Sequence, residues 1–345
     1  MEPIKIVDFT NKTELISLDD GFSICSVLLK GTDNVKHVNN VSYVNVQMPN
    51  EWVKNFLKHD DKVYYMDYFG KHYNIICKSI ANVNRKINDT EYRTLNVKKG
   101  LVLYNITKSA GHELCFIMAG IYLLHKLDLI DEYDIIIPNT IKNFGKFINS
   151  ILLLFFKEDK IHFVDDKTIV NISESIIYTP PHFKVIDHNS VLLEKLKLNI
   201  DTSIYYKNVC LIKSEIDLKY RNTPHKSFAQ SYLDFFVSND FKVFSPNDYD
   251  VITLFNIINN CDNIILSWGC NAWINSIFVN KKTNVLILCH KGYLNEYNKT
   301  YNYTKNHMTL CTPVCNKLIM AFDLESELSN DYEKTMQEYI GSLLC

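Results

Sequence analysis

The stretch NIILSWGCNAWINSIFVNKKTNVLILC, residues 263–289, decides how the chain is read. Asn263 to Leu266 form an apolar run of strand length, and Ser267-Trp268-Gly269 interrupts it with a small-residue turn. Trp273, Ile274, Ile277 and Phe278 then recur at helical spacing, and NVLILC (284–289) is a second apolar strand. Strand, helix and strand in so short a span point to a parallel pair, because parallel neighbours need a crossover between them.

The same alternation runs upstream. Strand NVCLIKS (208–214), a helix over 226–239, strand FKVFSP (241–246) and a helix over 250–261 lead into the strand at 263. From residue 208 onward the order is therefore β-α-β-α-β-α-β, which predicts a parallel sheet with helices on both faces. The preceding part is α/β but less regular. It offers a helix from Ser109 to Ile130 with an apolar stripe at Leu114, Ile117, Ile121 and Leu124, strand DIIIPN (134–139), a helix over 141–156 and strand IHFVDD (161–166). Two short strands near 168–171 and 175–180 and a helix over 190–198 follow. Residues 1–105 are strand-rich, with IKIVDF, FSICSVLLK, VSYVNVQM, KVYYMDYF, HYNIICKSI and GLVLYNI separated by polar or glycine turns.

These patterns predict an α/β protein of two Rossmann-like lobes with a cleft between them. The first lobe spans 1–190 with its strand-rich start, the second spans 200–325, and a helix over 326–345 packs back on a lobe. A chain of 345 residues is long enough for two cores, and 47% hydrophobic with 22% charged residues excludes a disordered chain. The net charge of −2 gives no global attraction to nucleic acid, so no nucleic-acid partner is expected. Asn, Ile and Lys recur everywhere while Gly numbers only 10, a coding bias that takes weight from any single Asn, Lys or Tyr. The chain shows no internal repeat and no low-complexity linker.

The N-terminus carries no signal-peptide core, and no apolar run is long enough to span a bilayer, so a soluble chain without a transmembrane segment is expected. The ten cysteines are scattered and form no CxxC pair, which predicts free thiols in a reducing, cytoplasmic compartment.

Ligands of open parallel sheets bind where strands end and helices begin. Ser267, Trp268, Gly269, Cys270 and Asn271 make such a loop: Gly269 allows close backbone approach, the helix start favours an anion, and Ser267 and Asn271 add donors. The plain alternative is an ordinary turn with Ser or Asn capping the helix. A second loop, after strand 208–214, is long and carries Lys213, Lys219, Arg221, His225 and Lys226. In a parallel sheet both loops open on the same edge. A cationic loop opposite a helix start suits a nucleoside diphosphate, with Arg221 as a fork and Lys213 as a point charge. The alternative is a solvated basic loop.

In the order of its elements over about 101–290, the chain resembles glycosyltransferase family 61. The residues that carry the likeness are Gly111-His112 opening a long helix, the segment SIIYTPPHF, Lys213-Ser214 ending a strand, Arg221-Asn222, and the helix Asn275 to Phe278 after a glycine loop. Family members have Arg where Lys213 stands and His-Gly where Trp268-Gly269 stands, and the interval from Gly269 to Asn275 is one residue longer here. The resemblance implies a GT-B fold and an inverting, metal-independent transfer from a nucleotide sugar to a hydroxyl on a glycan or glycoprotein. It implies no cofactor beyond the donor.

On that reading Lys213, Arg221, Asn222 and the Ser267–Asn271 loop hold the donor. His112, in the first helical turn where the dipole keeps imidazole neutral, is the candidate base. Glu113 is its neighbouring alternative, and His182, Asp187 and His188 are further candidates. A metal is not expected, since no Asp-x-Asp motif stands at a strand end and the adjacent Asp165-Asp166 would point to opposite faces. Two other functions use the same edge: a polysaccharide pyruvyl-transferase-like enzyme, and a non-catalytic binder of a nucleotide sugar or glycan. The replaced Arg and His favour the binder.

Overall fold

The computed structural model describes residues 37–45, 55–59, 62–69, 72–79, 93–103, 110–165, 167–176, 185–212, 229–268, 270–290, 315–325 and 328–345. The expected strands IKIVDF and FSICSVLLK, the cap Ser109, His182 and the donor residues Lys213, Arg221, Asn222 and Gly269 lie outside these residues. Contacts divide the chain into two units. One is Ile16–Phe144 with Ile148–Val191; the other is Leu192–Cys345 with Met1–Leu15 and Gly145–Phe147.

The first unit holds strands β1 (His37–Asn45), β2 (Asn55–His59), β3 (Lys62–Phe69), β4 (His72–Ser79), β5 (Arg93–Val102), β6 (Asp134–Pro138), β7 (Ile161–Val164) and β8 (Thr168–Ile176). They form one sheet in the order β4-β3-β2-β1-β8-β5-β6-β7. The strands β1 to β4 pair antiparallel, β1 joins β8 antiparallel, and β8-β5-β6-β7 are parallel. The strand-rich start and the α/β part are thus one mixed sheet.

Two corrections concern this unit. Over the described residues, the two short strands expected at 168–171 and 175–180 are one strand, β8, which runs unbroken from Thr168 to Ile176, with Val170 and Ile172 buried while Asn171 and Ser173 face out. The polar residues that read as a break are simply the outward face of a half-buried strand. The helix expected over 141–156 is a 3-10 turn, Asn139–Phe144, followed by α2 (Lys146–Phe155). Gly145 separates them at φ +86°, a left-handed conformation that suits glycine.

Helix α1 (Ala110–Lys126) lies where its stripe predicts and buries Leu114, Ile117, Ile121 and Leu124. It ends in a left-handed Asp128 at φ 56°, with Leu129 N–H returning to Leu124 O at 2.9 Å. An apolar residue after a left-handed one closes the helix and satisfies a terminal carbonyl. Between β7 and β8, Asp165 accepts from the Thr168 hydroxyl at 2.6 Å and from Lys167 N–H at 3.1 Å, and pairs with the Arg93 guanidinium.

The boundary between the units falls within α3 (Val185–Lys197), at Leu192. The strands of the second unit are β9 (Tyr206–Leu211), β10 (Lys242–Phe244), β11 (Cys261–Ser267), β12 (Asn284–His290) and β13 (Lys317–Leu324). All pair parallel, in the order β10-β9-β11-β12-β13. The alternation read from residue 208 is thus a parallel sheet. The fifth strand goes beyond the sequence pattern, which ends with the strand at 284–289.

Helices cover both faces of this sheet. On one face α4 (Gln230–Ser238) and α7 (Asn330–Leu344) pack Tyr232, Phe235, Phe236, Met336, Tyr339, Ile340 and Leu343 over Cys210, Ile265, Leu286 and Ile319. On the other, α5 (Val251–Asn259) lies against β9 and β11, and its Phe255 meets Phe278 edge-on at 5.8 Å. Asp250 caps α5 by accepting from Thr253 N–H at 2.9 Å. The α/β class therefore holds for both units.

Candidate functional site

The strand order gives the candidate site its setting. Taking the five strands of the second sheet as 1 to 5 along the chain, they lie 2-1-3-4-5. The chain leaves β9 towards one side for β10 and returns across it to β11. The strand order reverses direction between β9 and β11, and open parallel sheets take their ligands at the carboxyl ends of strands at such a switch point. Leu211 and Leu266 are register partners there. The two loops singled out in the sequence therefore start side by side, one after Ile212 and the other after Ser267.

The predicted donor residues divide between this edge and segments outside the described residues. Ser267 ends β11 and is 3% exposed. By strand alternation it shares a face with Asn263 and Ile265, the face under α4 and α7. Trp268 is half-buried, and its N–H donates to Leu288 O at 2.8 Å. That bond carries the β11–β12 ladder one residue further, so the Trp268 N–H is committed to the sheet. Cys270 and Asn271 begin α6 (Cys270–Asn275), a short helix that continues as a 3-10 turn over Ser276–Phe278. Lys213, Arg221, Asn222 and Gly269 are the donor residues outside the described set. His112 and Glu113 sit in the first turn of α1, in the first unit, and Asp187 and His188 sit in α3.

Other described residues near this edge are hydrogen-bonded. Tyr232 donates its hydroxyl to Glu325 O at 3.1 Å, and Leu328 N–H donates to the Ser231 hydroxyl at 3.1 Å. These bonds tie the start of α4 to the segment after β13. The β12–β13 register shifts between Leu288 and His290. Such irregularities often bend strands beside binding sites.

Thiol chemistry is disfavoured behind this edge. Burial pushes the Cys289 thiol up to about 12 and raises that of Cys210 as well, so both remain protonated at neutral pH. Cys210, Cys261, Cys289, Cys315 and Cys345 are free thiols. Among the described residues no group of three or more His, Cys, Asp or Glu side chains could hold a metal ion, and no helix is long and apolar enough to cross a membrane.

The opposite edge holds what sequence reasoning misses. Asn208, Asn263 and Asn284 are register partners on β9, β11 and β12, and Asn316 precedes β13 by one residue. Asn316 Nδ2 donates to Asn284 Oδ1 at 2.8 Å, Asn284 Nδ2 to Asn263 Oδ1 at 2.9 Å, and Asn263 Nδ2 to Asn208 Oδ1 at 2.9 Å. Asn208 Nδ2 donates onward to Asp240 O at 3.4 Å. A signal exists in the chain: NVCLI, NIILS, NVLIL and NKLIM all open on Asn. Discounting asparagines as coding bias conceals it.

A scan of the sequence against protein-family models finds no match, and a search of curated proteins finds none either.

Proposed function

We propose that the protein is an inverting, metal-independent glycosyltransferase of GT-B type. It takes a nucleoside-diphosphate sugar, with a UDP-sugar the first donor to test, and delivers the sugar to a hydroxyl of a glycan or glycoprotein. The observation that carries this reading is the register pair Leu211–Leu266 at the switch point. These strands end side by side on the edge where open parallel sheets take their ligands, and in the sequence Lys213, Arg221 and Asn222 follow the one and Ser267–Asn271 ends the other.

The chemistry follows from the residue types. Departure of a nucleoside diphosphate builds negative charge, which Lys213, Arg221 and the backbone after Gly269 stabilise. Asn222 and Asn271 supply neutral donors, and Trp268 offers a flat apolar face. The acceptor hydroxyl gives its proton to a base, assigned to His112 with Glu113 as the alternative.

Thermal shift with UDP, GDP and phosphoenolpyruvate tests it, since a ligand bound by the folded state raises apparent stability. A nucleotide response is expected. Stabilisation by phosphoenolpyruvate alone would turn the reading to a pyruvyl transferase. Nucleotide binding with neither transfer nor donor hydrolysis would leave a binder. Turnover that needs manganese after EDTA treatment would remove the metal-independent mechanism. His112→Ala is expected to keep nucleotide affinity and lower transfer.

A further inference from the structure

The strands of the second sheet present a specificity problem that the asparagine row solves. Val209 to Leu211, Ile264 to Leu266, Val285 to Leu288 and Leu318 to Ala321 are apolar and buried without interruption. Strands buried on both faces lose the inside-outside alternation that normally sets register, so apolar packing discriminates weakly against a slip. A primary amide discriminates sharply, because it brings both a donor and an acceptor into the interior. Asn208 and Asn263 are 5% and 4% exposed, so water does not serve them freely. Sliding any one strand would set an amide against an aliphatic neighbour and strand its polar atoms.

We propose that this row of amides is the register lock of the second sheet. It selects the alignment of β9, β11, β12 and β13 that makes Leu211 and Leu266 neighbours and so decides which residues reach the carboxyl edge. The lock is directional: Asn316, Asn284 and Asn263 each donate to the next amide towards β9, and Asn208 on β9 donates onward to the carbonyl of Asp240. It is also anchored to the helical layer, since Asn284 Nδ2 donates to Leu343 O of α7 at 3.0 Å. A buried asparagine that fixes the alignment of helices in a coiled coil works by the same penalty on wrong pairings. The lock does not depend on the ligand or the reaction assigned to the opposite edge.

The test removes the lock without leaving half of it behind. In the triple variant Asn208→Leu/Asn263→Leu/Asn284→Leu the row becomes apolar, and a compact α/β protein by circular dichroism is expected. Its amide and methyl spectra should show more than one set of peaks for β9, β11 and β12, with the Leu211–Leu266 contact at reduced intensity. A single set of peaks at the wild-type contact intensity overturns the proposal. Should the triple variant fail to fold, Asn208→Leu/Asn263→Leu is read the same way at the β9–β11 junction.

An independent arm uses Asn263→Asp. A protonated carboxyl has one donor and one acceptor, as the row requires, while a carboxylate can only accept. Burial raises the folded-state pKa of this Asp above its unfolded value, so its deficit relative to wild type should be largest near pH 8 and shrink towards about pH 5. Asn263→Leu should show no such recovery. A deficit of Asn263→Asp that does not change with pH would show that the amides do not pair as the lock demands, whatever becomes of the Leu variants.

Discussion

The two edges of the second sheet are built on opposite principles. At the amino edge Asn208, Asn263, Asn284 and Asn316 bond to one another, Thr283 Oγ1 donates to Cys261 O at 2.8 Å, and Asn256 holds Asn199 O and Asp201 N–H. At the carboxyl edge β9 and β11 end side by side and their chains part. One edge consumes its hydrogen-bonding capacity internally; at the other, β9 and β11 run on into the stretches of sequence that carry the cationic and small residues. Stability and ligand binding should therefore respond to separate substitutions, and four experiments test that division.

The largest effect is expected from Asn263→Leu. It leaves Asn208 Oδ1 without its donor and takes an acceptor from Asn284, and each buried polar group deprived of a partner costs about 1–3 kcal/mol. Urea unfolding should show a loss of about 2–4 kcal/mol. A loss below about 0.5 kcal/mol, typical of surface sites, would mean the row is incidental.

Next is Arg221→Ala, which should weaken nucleotide binding about ten- to a hundred-fold by removing charge-assisted bonds, with unfolding stability unchanged. Calorimetric titration measures it. Wild-type affinity in this variant would place the donor elsewhere and erase the functional half of the comparison.

Asp250→Ala should cost about 1 kcal/mol through loss of the α5 cap. Burial pushes the Asp250 carboxyl up, but the bonds from Thr253 N–H and hydroxyl outweigh it and hold the folded-state pKa below its ordinary value. A depressed carboxyl stabilises above its unfolded pKa of about 4, and that contribution disappears as pH falls through the folded value. The gap between wild type and Asp250→Ala should accordingly narrow on acidification below about pH 4. A gap that stays constant would assign the effect to helix propensity alone.

The smallest effect carries the opposite sign. Asp240 holds φ 64°, and Phe241 N–H returns to Phe236 O at 2.9 Å, so α4 ends as α1 does, on an aspartate where glycine is usual. Asp240→Gly should raise the melting temperature, by up to about 1 kcal/mol of stability, because glycine adopts this conformation without a β-carbon clash. An unchanged or lower melting temperature would show that the aspartate suits this cap.

Much of the second unit is legible in the sequence alone. Alternating apolar runs and helical stripes locate β9, β10, β11 and β12, because period and burial are local properties of a sequence. In β8 the exposed Asn171 and Ser173 look like a turn, since one polar face of a strand and a loop share a composition. Strand β13 lies beyond the sequence pattern, which ends with the strand at 284–289. For the candidate site, the sequence supplies residue types and their places at strand ends. It does not show that the Trp268 N–H is bonded to Leu288 O or that Ser267 is buried.

The α/β class and the parallel alternation after residue 208 follow from the residues in order. The arrangement β10-β9-β11-β12-β13, and with it the switch point, belongs to the folded molecule. Four asparagines near the strand starts, each ordinary alone, likewise become one hydrogen-bonded row only when the strands lie side by side. The cause is the same in both cases. Periodicity is written along the chain within a few residues, whereas strand order and amide pairing depend on which distant strands become neighbours.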